Sequence, residues 1–454
     1  MKRRERFSDQ KVLVIGAGIS GRSAADYLTA RNAEVSVYDD DETKLKEVAN
    51  TGGNLIEESD CEYDFCVVSP GISIKHESVQ NFLNSGKPVI SELELGLSEK
   101  HKKIIAITGT NGKTTVSTMI YYALRNSINP FIRKAVLCGN VGIPITSVSE
   151  KLRRKTTVVE VSSFQLESTK TLKPDIAVIT NITQDHLDRH GTMEEYIRCK
   201  SAIFRKQTEK DILILNYDDE NCRKLAFIAK SRVLWFSTNS RVQGVYIENN
   251  DVMLNLKRRA KKICSVNAFG EEKLHGIENI LATVLVCRLI HIGKHAIIES
   301  CKPSGSLNHR LQFVGSHHTS SGTIMFYNDS KATNIASTIA ACRCFKSSVN
   351  LILGGVAKGQ DFSELFKKLP GIVDHIFVFG QAADIISAAA REANYTAITQ
   401  ATDLREAVTV AVNNGKSSRV VILSPACSSF DMFENYEHRG EVFVQIVKEI
   451  INRS

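Results

Sequence analysis

The sequence predicts an α/β protein built as three consecutive domains, and three observations predict it. The chain has 454 residues, too many for one hydrophobic core. Short apolar runs alternate with helical stretches along most of its length, the pattern of parallel, doubly wound sheets. Two glycine-rich turns, at 16–21 and 108–115, each follow an apolar run and open a helical stretch, the place where such sheets bind phosphates.

The first domain is expected over 1–98. Val12–Ile15 reads as a strand, Arg22–Ala30 as a helix, and Glu34–Tyr38, Phe65–Val68 and Lys87–Ile90 as further strands. Gly16-Ala17-Gly18-Ile19-Ser20-Gly21 fits GxGxxG, and Asp39 ends the next strand, where a ribose-binding acid belongs. The domain therefore reads as Rossmann-like. Taken alone the motif favours a dinucleotide. Its physics promises only a pyrophosphate on a helix N-terminus, and a UDP-sugar carries the same group.

The central domain, expected over 99–306, opens with the apolar run Ile104–Ile107 and the octet Thr108-Gly109-Thr110-Asn111-Gly112-Lys113-Thr114-Thr115. A helix is expected from near Val116. Backbone N–H groups of Gly109, Thr110, Asn111, Gly112 and Lys113 can face phosphate oxygens. Lys113 would neutralise β/γ charge, and Thr114 or Thr115 would offer Mg²⁺ a hydroxyl. The strict P-loop pattern wants glycine where Ile107 stands, so this is a shortened variant of a P-loop ATPase-type turn that binds a nucleoside triphosphate. Thr157–Val161, Ile176–Thr180 and Ile212–Asn216 are its later strands, and the turn-rich stretch Val233–Ala268 suggests a small β insertion. Glu160, near the carboxyl end of its strand, is placed as a second handle on Mg²⁺. Ser162, Ser163 and Gln165 look like the lip of a pocket. His186, between Asp185 and Asp188, is a candidate metal ligand or base. Spacing alone makes Lys200 a surface charge.

The third domain, over 307–454, has strands at Ile324–Tyr327, Asn350–Leu353, His375–Phe379 and Arg419–Leu423. Three polar loops follow such strands: Asn328–Asn334, Gly354–Gly359 and Ser424–Asp431. Together they form a rim with both signs of charge, suited to a zwitterionic amino acid. Cys427 lies in the last loop and reads as a packed thiol, since no histidine adjoins it.

Bulk properties narrow the class. The formal charge of +8 is mild for this length and suits anionic small substrates. The run Lys257–Lys262 has no interleaved aromatics and reads as a solvated turn rather than a nucleic-acid site. Eleven scattered cysteines argue for free thiols in a reducing cytoplasm. No run reaches membrane length, and the basic start lacks an apolar segment behind it, so no secretory signal is expected.

Taken together, TGTNGKTT, EVSSFQLE, NITQDHLDRH, NDSKATN, LGG followed by KG, and LSPACSSFDMFENYEHRG resemble the Mur ligases of peptidoglycan synthesis over nearly the whole chain. NDSKATN and the last motif, with the N-terminal glycine turn, point to the branch that adds D-glutamate. The resemblance implies a Rossmann-like N-terminal domain for a UDP-sugar, a central domain for ATP and a C-terminal Rossmann-like domain for the amino acid. Ile19, Ser20, Asp39, Ser69 and Gly71 would hold the uridine diphosphate. Asn140, Ser162 and Gln165 would position the muramoyl-alanine part. Two Mg²⁺ ions are implied: one on Glu160 and a P-loop threonine, the other on His186 and Lys200, the lysine carbamylated by CO₂. Asn279, Arg310 and Asp329 would contact ATP, and Lys331, Thr333, Lys358, Ser429, Phe430 and Tyr436 would receive D-glutamate. UDP-N-acetylmuramoyl-L-alanine and D-glutamate are then the substrates of a cytoplasmic monomer, with no nucleic acid and no membrane insertion. Two departures stand out. Ala282 replaces the second adenine-side asparagine in Glu278-Asn279-Ile280-Leu281-Ala282, and Asp40-Asp41 stand where a base often follows the uracil-side acid. A dinucleotide oxidoreductase would leave the octet unexplained, a folylpolyglutamate synthase-type ligase the N-terminal unit, and a non-catalytic binding module the three polar rims.

Overall fold

In the computed structural model the described residues are 7–49, 54–55, 63–99, 101–256, 259–270, 276–302, 309–319, 322–414 and 419–452. They fall into two compact units. The first takes its residues from Met1–Ile182, Thr192–Gly270 and Gly276–Lys302, and the second from Thr183–Gly191 and Pro303–Ser454.

The first unit carries two sheets. One is parallel and five-stranded, in the order Asn54–Leu55, Glu34–Tyr38, Lys11–Ile15, Phe65–Val68, Val89–Ser91. The strand order reverses direction beside Lys11–Ile15, which puts a crevice at its carboxyl end. The helix after it spans Ile19–Thr29, three residues earlier than expected, because the glycine turn feeds straight into it.

The other sheet has nine strands: Lys261–Ser265, Asp251–Asn255, Gly244–Glu248, Arg232–Ser237, Ile212–Asn216, Ile176–Ile179, Lys103–Thr108, Thr156–Glu160, Ala135–Gly139. Side chains alternate between its faces with period two. Ile105, Ile107, Val158 and Val178 enter one core with the helices Lys113–Arg125 and Ile277–Leu289, while Ala106, Val159 and Ala177 enter another with Tyr196 and Phe204. Each fully buried branched side chain contributes about 1.5–3 kcal/mol. The stretch expected as a small β insertion is made of strands, and they extend this sheet. Arg232–Ser237 pairs in parallel with Ile212–Asn216, and the last strands add antiparallel turns to the same edge. Of the basic run, Lys261 and Lys262 lie in the final strand rather than a turn, while Lys257 and Arg258 lie outside the described residues.

The second unit holds a six-stranded sheet in the order Gln312–Thr319, Gly322–Asn328, Arg419–Leu423, Val349–Gly354, Val373–Phe379, Ile398–Gln400. The first pair is antiparallel and the rest parallel. Gln312–Thr319 escaped the sequence reading because its half-buried edge position tolerates Ser316, His317 and His318 without apolar alternation.

Candidate active site

The octet sits between the strand Lys103–Thr108 and the helix Lys113–Arg125. That helix starts three residues before the expected Val116. Gly112 adopts φ +83° as its N-cap, so Lys113, Thr114 and Thr115 form the first turn, where N–H groups lack intrahelical acceptors. A Cβ at Gly112 would lie 2.1 Å from Asn279 Oδ1. Asn279, expected on the ATP side, is thus packed against the loop. Thr180 and Asn181 pin the loop from the neighbouring strand end. Asn181 Oδ1 accepts from Asn111 N at 2.9 Å, its carbonyl accepts from Thr110 N at 2.9 Å, and Thr180 Oγ1 donates to Asn111 O at 2.5 Å. Neither residue was singled out in sequence, although both begin the run that contains His186.

Lys113 Nζ donates to Gly109 O at 3.0 Å and Thr110 O at 2.9 Å. Lys200 Nζ donates to the same Gly109 carbonyl at 2.8 Å and lies 4.5 Å from the centre of the Tyr196 ring. The expectation of a surface lysine is therefore wrong. Lys200 is 1 % exposed, because it shares with Tyr196, one turn earlier, the inward face of the helix Met193–Ser201. Tyr196 in turn meets Thr110 through its hydroxyl at 3.1 Å.

Glu160 ends the strand beside the P-loop strand and is 1 % exposed. Its Oε1 accepts from Asn140 Nδ2 at 2.8 Å, while Oε2 is buried with no hydrogen-bond partner among the described residues. An orphaned carboxylate oxygen in a dry site is costly, and a hard cation satisfies it. The donor set therefore fits Mg²⁺. Ser162 and Gln165, expected at the substrate, form a capping box on the helix Ser163–Glu167. Ser162 Oγ accepts from Gln165 N at 3.2 Å and Gln165 Oε1 from Ser162 N at 2.9 Å.

In the N-terminal sheet the glycine turn is held by the residues expected at the nucleotide. Asp39 Oδ2 accepts from Ala17 N at 2.7 Å, and Ser69 Oγ donates to Gly16 O at 2.8 Å. A Cβ at Gly21 would come within 1.7 Å of Gly16 O, so only glycine lets the helix start this close to the turn. Ile19 is exposed at the helix start, Ser20 follows it half-buried, and Gly71 has open space around its Cα.

The second unit gathers the three polar loops. Lys358 Nζ, 8 % exposed, lies 3.2 Å from both Asp185 Oδ1 and Thr333 Oγ1, and Asn334 Nδ2 donates to Asp185 Oδ2 at 3.2 Å. Lys331 Nζ is 4.8 Å from the centre of the Tyr436 ring. Ser429 is buried and Phe430 is 73 % exposed. His186 has φ +53° and its Nε2 is 3.6 Å from Asp185 Oδ2. Asp329 accepts from Ser424 Oγ at 2.8 Å and Leu311 N at 3.2 Å, and burial pushes its carboxyl up to about 7 against the opposing pull of those bonds and Arg310. Cys427 is a packed thiol, pushed up to about 12 by burial. Sequence reasoning missed Arg439. Fully buried, it donates to Ser330 Oγ and O, Gly354 O, Cys427 O and Ser428 O at 2.9–3.3 Å, which ties all three loops together. It lies within a quoted motif, but nothing in its spacing marks it.

Three family descriptions match the chain: the MurD-like N-terminal domain at 10–91, the Mur ligase middle domain at 107–287 and the Mur ligase glutamate ligase domain at 309–427. The UDP-N-acetylmuramoylalanine–D-glutamate ligase of Streptococcus suis (strain 98HAH33) is 36 % identical, over 99 % of this chain and 100 % of its own. The chain belongs to the Mur ligase family. The ligase of the same name from Koribacter versatilis (strain Ellin345) is 35 % identical over 97 % of this chain and 98 % of its own. Among solved structures, a pseudomurein peptide ligase type C from Methanothermus fervidus covers 97 % of this chain and 100 % of its own, with a TM-score of 0.59 and 18 % identity, a likeness of fold. As in the Mur ligase descriptions, three α/β domains follow one another here.

Proposed function

We propose that the chain joins D-glutamate to the alanyl carboxylate of UDP-N-acetylmuramoyl-L-alanine, cleaving ATP to ADP and phosphate, in peptidoglycan precursor synthesis. The observation that carries this is the end-to-end match, at 36 % identity, to ligases of that name. The reading places the enzyme in the bacterial cytoplasm as a monomer; among the described residues no helix is long and apolar enough to cross a membrane.

A free carboxylate is a poor acyl donor because oxide does not leave. The alanyl carboxylate therefore attacks the γ-phosphorus of ATP, the bond to the bridging oxygen breaks, and ADP departs. The amine of D-glutamate then attacks the acyl phosphate; it loses a proton, and inorganic phosphate leaves. No protein nucleophile is needed. Gly109, Thr110, Asn111 and Gly112 present the loop backbone to the phosphates, and Lys113 exchanges its two loop carbonyls for phosphate oxygens. Mg²⁺, when bound, spreads the charge that builds on the transferred group. Glu160 with Thr114 or Thr115 would hold one ion; His186 and a CO₂-derived carbamate on Lys200 are assigned to the second by the resemblance. Asp39 and Ser69 hold the turn that takes the pyrophosphate, with Ile19 and Ser20 at the helix start and Gly71 leaving open space for the uridine diphosphate. Asn140, held by Glu160, and the Ser162–Gln165 cap sit near the alanyl end. Asn279, Arg310 and Asp329 serve ATP. Lys331, Thr333, Lys358, Ser429, Phe430 and Tyr436 serve D-glutamate, whose two carboxylates call for the lysines.

The test is phosphate release from ATP and Mg²⁺ with UDP-N-acetylmuramoyl-L-alanine and D-glutamate, L-glutamate or no amino acid. Release that requires both the UDP-sugar and D-glutamate supports the reading. Release with a different amino acid, or none in any combination, overturns it.

A further inference from the structure

The amino-terminal edge of the nine-stranded sheet lies opposite the P-loop and takes no part in the proposed chemistry. Between positions 102 and 155 the sequence holds ten lysines and arginines against one acid, Glu150, and only Lys113 of the ten belongs to the phosphate loop. The fold brings the others to one edge. The strands starting at Lys103, Thr156 and Ala135 are parallel neighbours. The residues just before them are stitched together: Lys102 N donates to Lys155 O at 3.0 Å, and Thr156 N to Lys134 O at 2.9 Å. Lys102, Arg133, Lys134, Arg153 and Arg154 are exposed, and among the described residues none of them is paired with a carboxylate.

Apolar side chains stand in the same place. The connection from the helix Lys113–Arg125 to the strand Ala135–Gly139 exposes Ile128 at 91 % and Phe131 at 70 %. It is built rather than loose. Lys102 Nζ donates to Phe131 O at 3.1 Å, Arg133 Nε to Ser127 O at 2.5 Å, and Phe131 N to Asn129 Oδ1 at 3.0 Å. Further along the same edge, the connection into the strand Arg232–Ser237 exposes Phe227 at 90 % and Ile228 at 64 %. Exposed apolar tips set among unpaired cations cost solubility and self-repulsion unless a surface that is both anionic and apolar receives them.

We propose that this edge is a docking surface for an anionic lipid bilayer, on which the enzyme rests peripherally, with no segment crossing. The cations meet the headgroups, and Ile128 and Phe131 enter the headgroup–acyl boundary. Single-stranded nucleic acid fits less well: Phe131 and Phe227 offer faces for stacking, but each stands beside an exposed isoleucine, Ile128 or Ile228, that offers none and suits acyl chains instead. The phosphate loop, at the opposite edge, stays open to solutes.

The test is co-sedimentation of the full-length protein with vesicles of phosphatidylcholine alone or with about a third phosphatidylglycerol, at low and high salt. Binding is expected to the anionic vesicles only, and to fall steeply with salt. R153E/R154E should weaken it at least tenfold, as about 1 kcal/mol per cation implies; I128S/F131S should weaken it several-fold at unchanged charge. Both variants should keep the wild-type rate of phosphate release in solution, which shows them folded and separates this proposal from the ligase reading. No binding to anionic vesicles at low salt, equal binding to neutral ones, or tighter binding to polyuridylate than to vesicles would overturn it.

Discussion

Replacing Arg439 by alanine should loosen the rim of three polar loops in the second unit, the surface proposed to take D-glutamate. The side chain is fully buried and carries five hydrogen bonds. Burial pulls its pKa down to about 10, which at about 1.4 kcal/mol per unit corresponds to roughly 3 kcal/mol spent on keeping the guanidinium charged inside. Bonds from a charged donor are each worth about 1.5–3 kcal/mol, so five of them outweigh that cost. Truncation takes a donor from Gly354 O, Cys427 O and the two Ser330 oxygens around a cavity, while Ser428 O keeps the N–H of Val356 at 2.9 Å. A net loss of about 3–5 kcal/mol is expected, or a fall of roughly 10 °C in the melting of a unit this size. Arg439→Lys has three donors for five acceptors and should lose less. Thermal unfolding, with the KM for D-glutamate measured at a temperature where the variant is folded, checks this. The KM should rise while that for ATP moves little. An alanine variant within about 1 kcal/mol of wild type and with an unchanged KM for D-glutamate would refute the idea that Arg439 holds the loops.

Three further outcomes follow from single distances or shifts. Asp329 keeps its proton in the folded chain up to about pH 7, whereas an unfolded aspartate loses it near pH 4. Stability should therefore fall as pH rises from about 4 to 7, by up to about 4 kcal/mol, and flatten above; Asp329→Asn should remove that slope in urea unfolding, and an unchanged slope would clear Asp329. Gly21→Ala places a Cβ 1.7 Å from Gly16 O, so binding of the UDP-sugar should weaken more than tenfold by calorimetry, while a silent substitution would mean the turn relaxes freely. Lys200→Ala should lose most turnover and regain part of it with added short carboxylates; full activity without them would reject the carbamate.

Much of this was readable in consecutive residues. Glu34–Tyr38, Phe65–Val68, Ile212–Asn216 and Arg419–Leu423 lie where their apolar character puts them, and both glycine turns announce themselves because only glycine meets their steric demands. Helix starts were read three residues late at both turns, since Ile19 and Lys113 carry no cap signal of their own and the preceding glycine decides the matter.

The sequence by itself determined the three α/β domains, the two glycine turns and the family, because strand periodicity and glycine geometry are local properties. Only the tertiary structure decided that Lys200 is buried beside Gly109, 91 residues away, that Arg439 grips Ser330, 109 residues away, and that Glu160 is buried with one oxygen unpaired among the described residues. It alone gathered the cations of residues 102–155 onto one edge. Those facts depend on which distant groups share a dry space, where an unmet hydrogen bond or charge is expensive, and one-dimensional spacing carries no record of that.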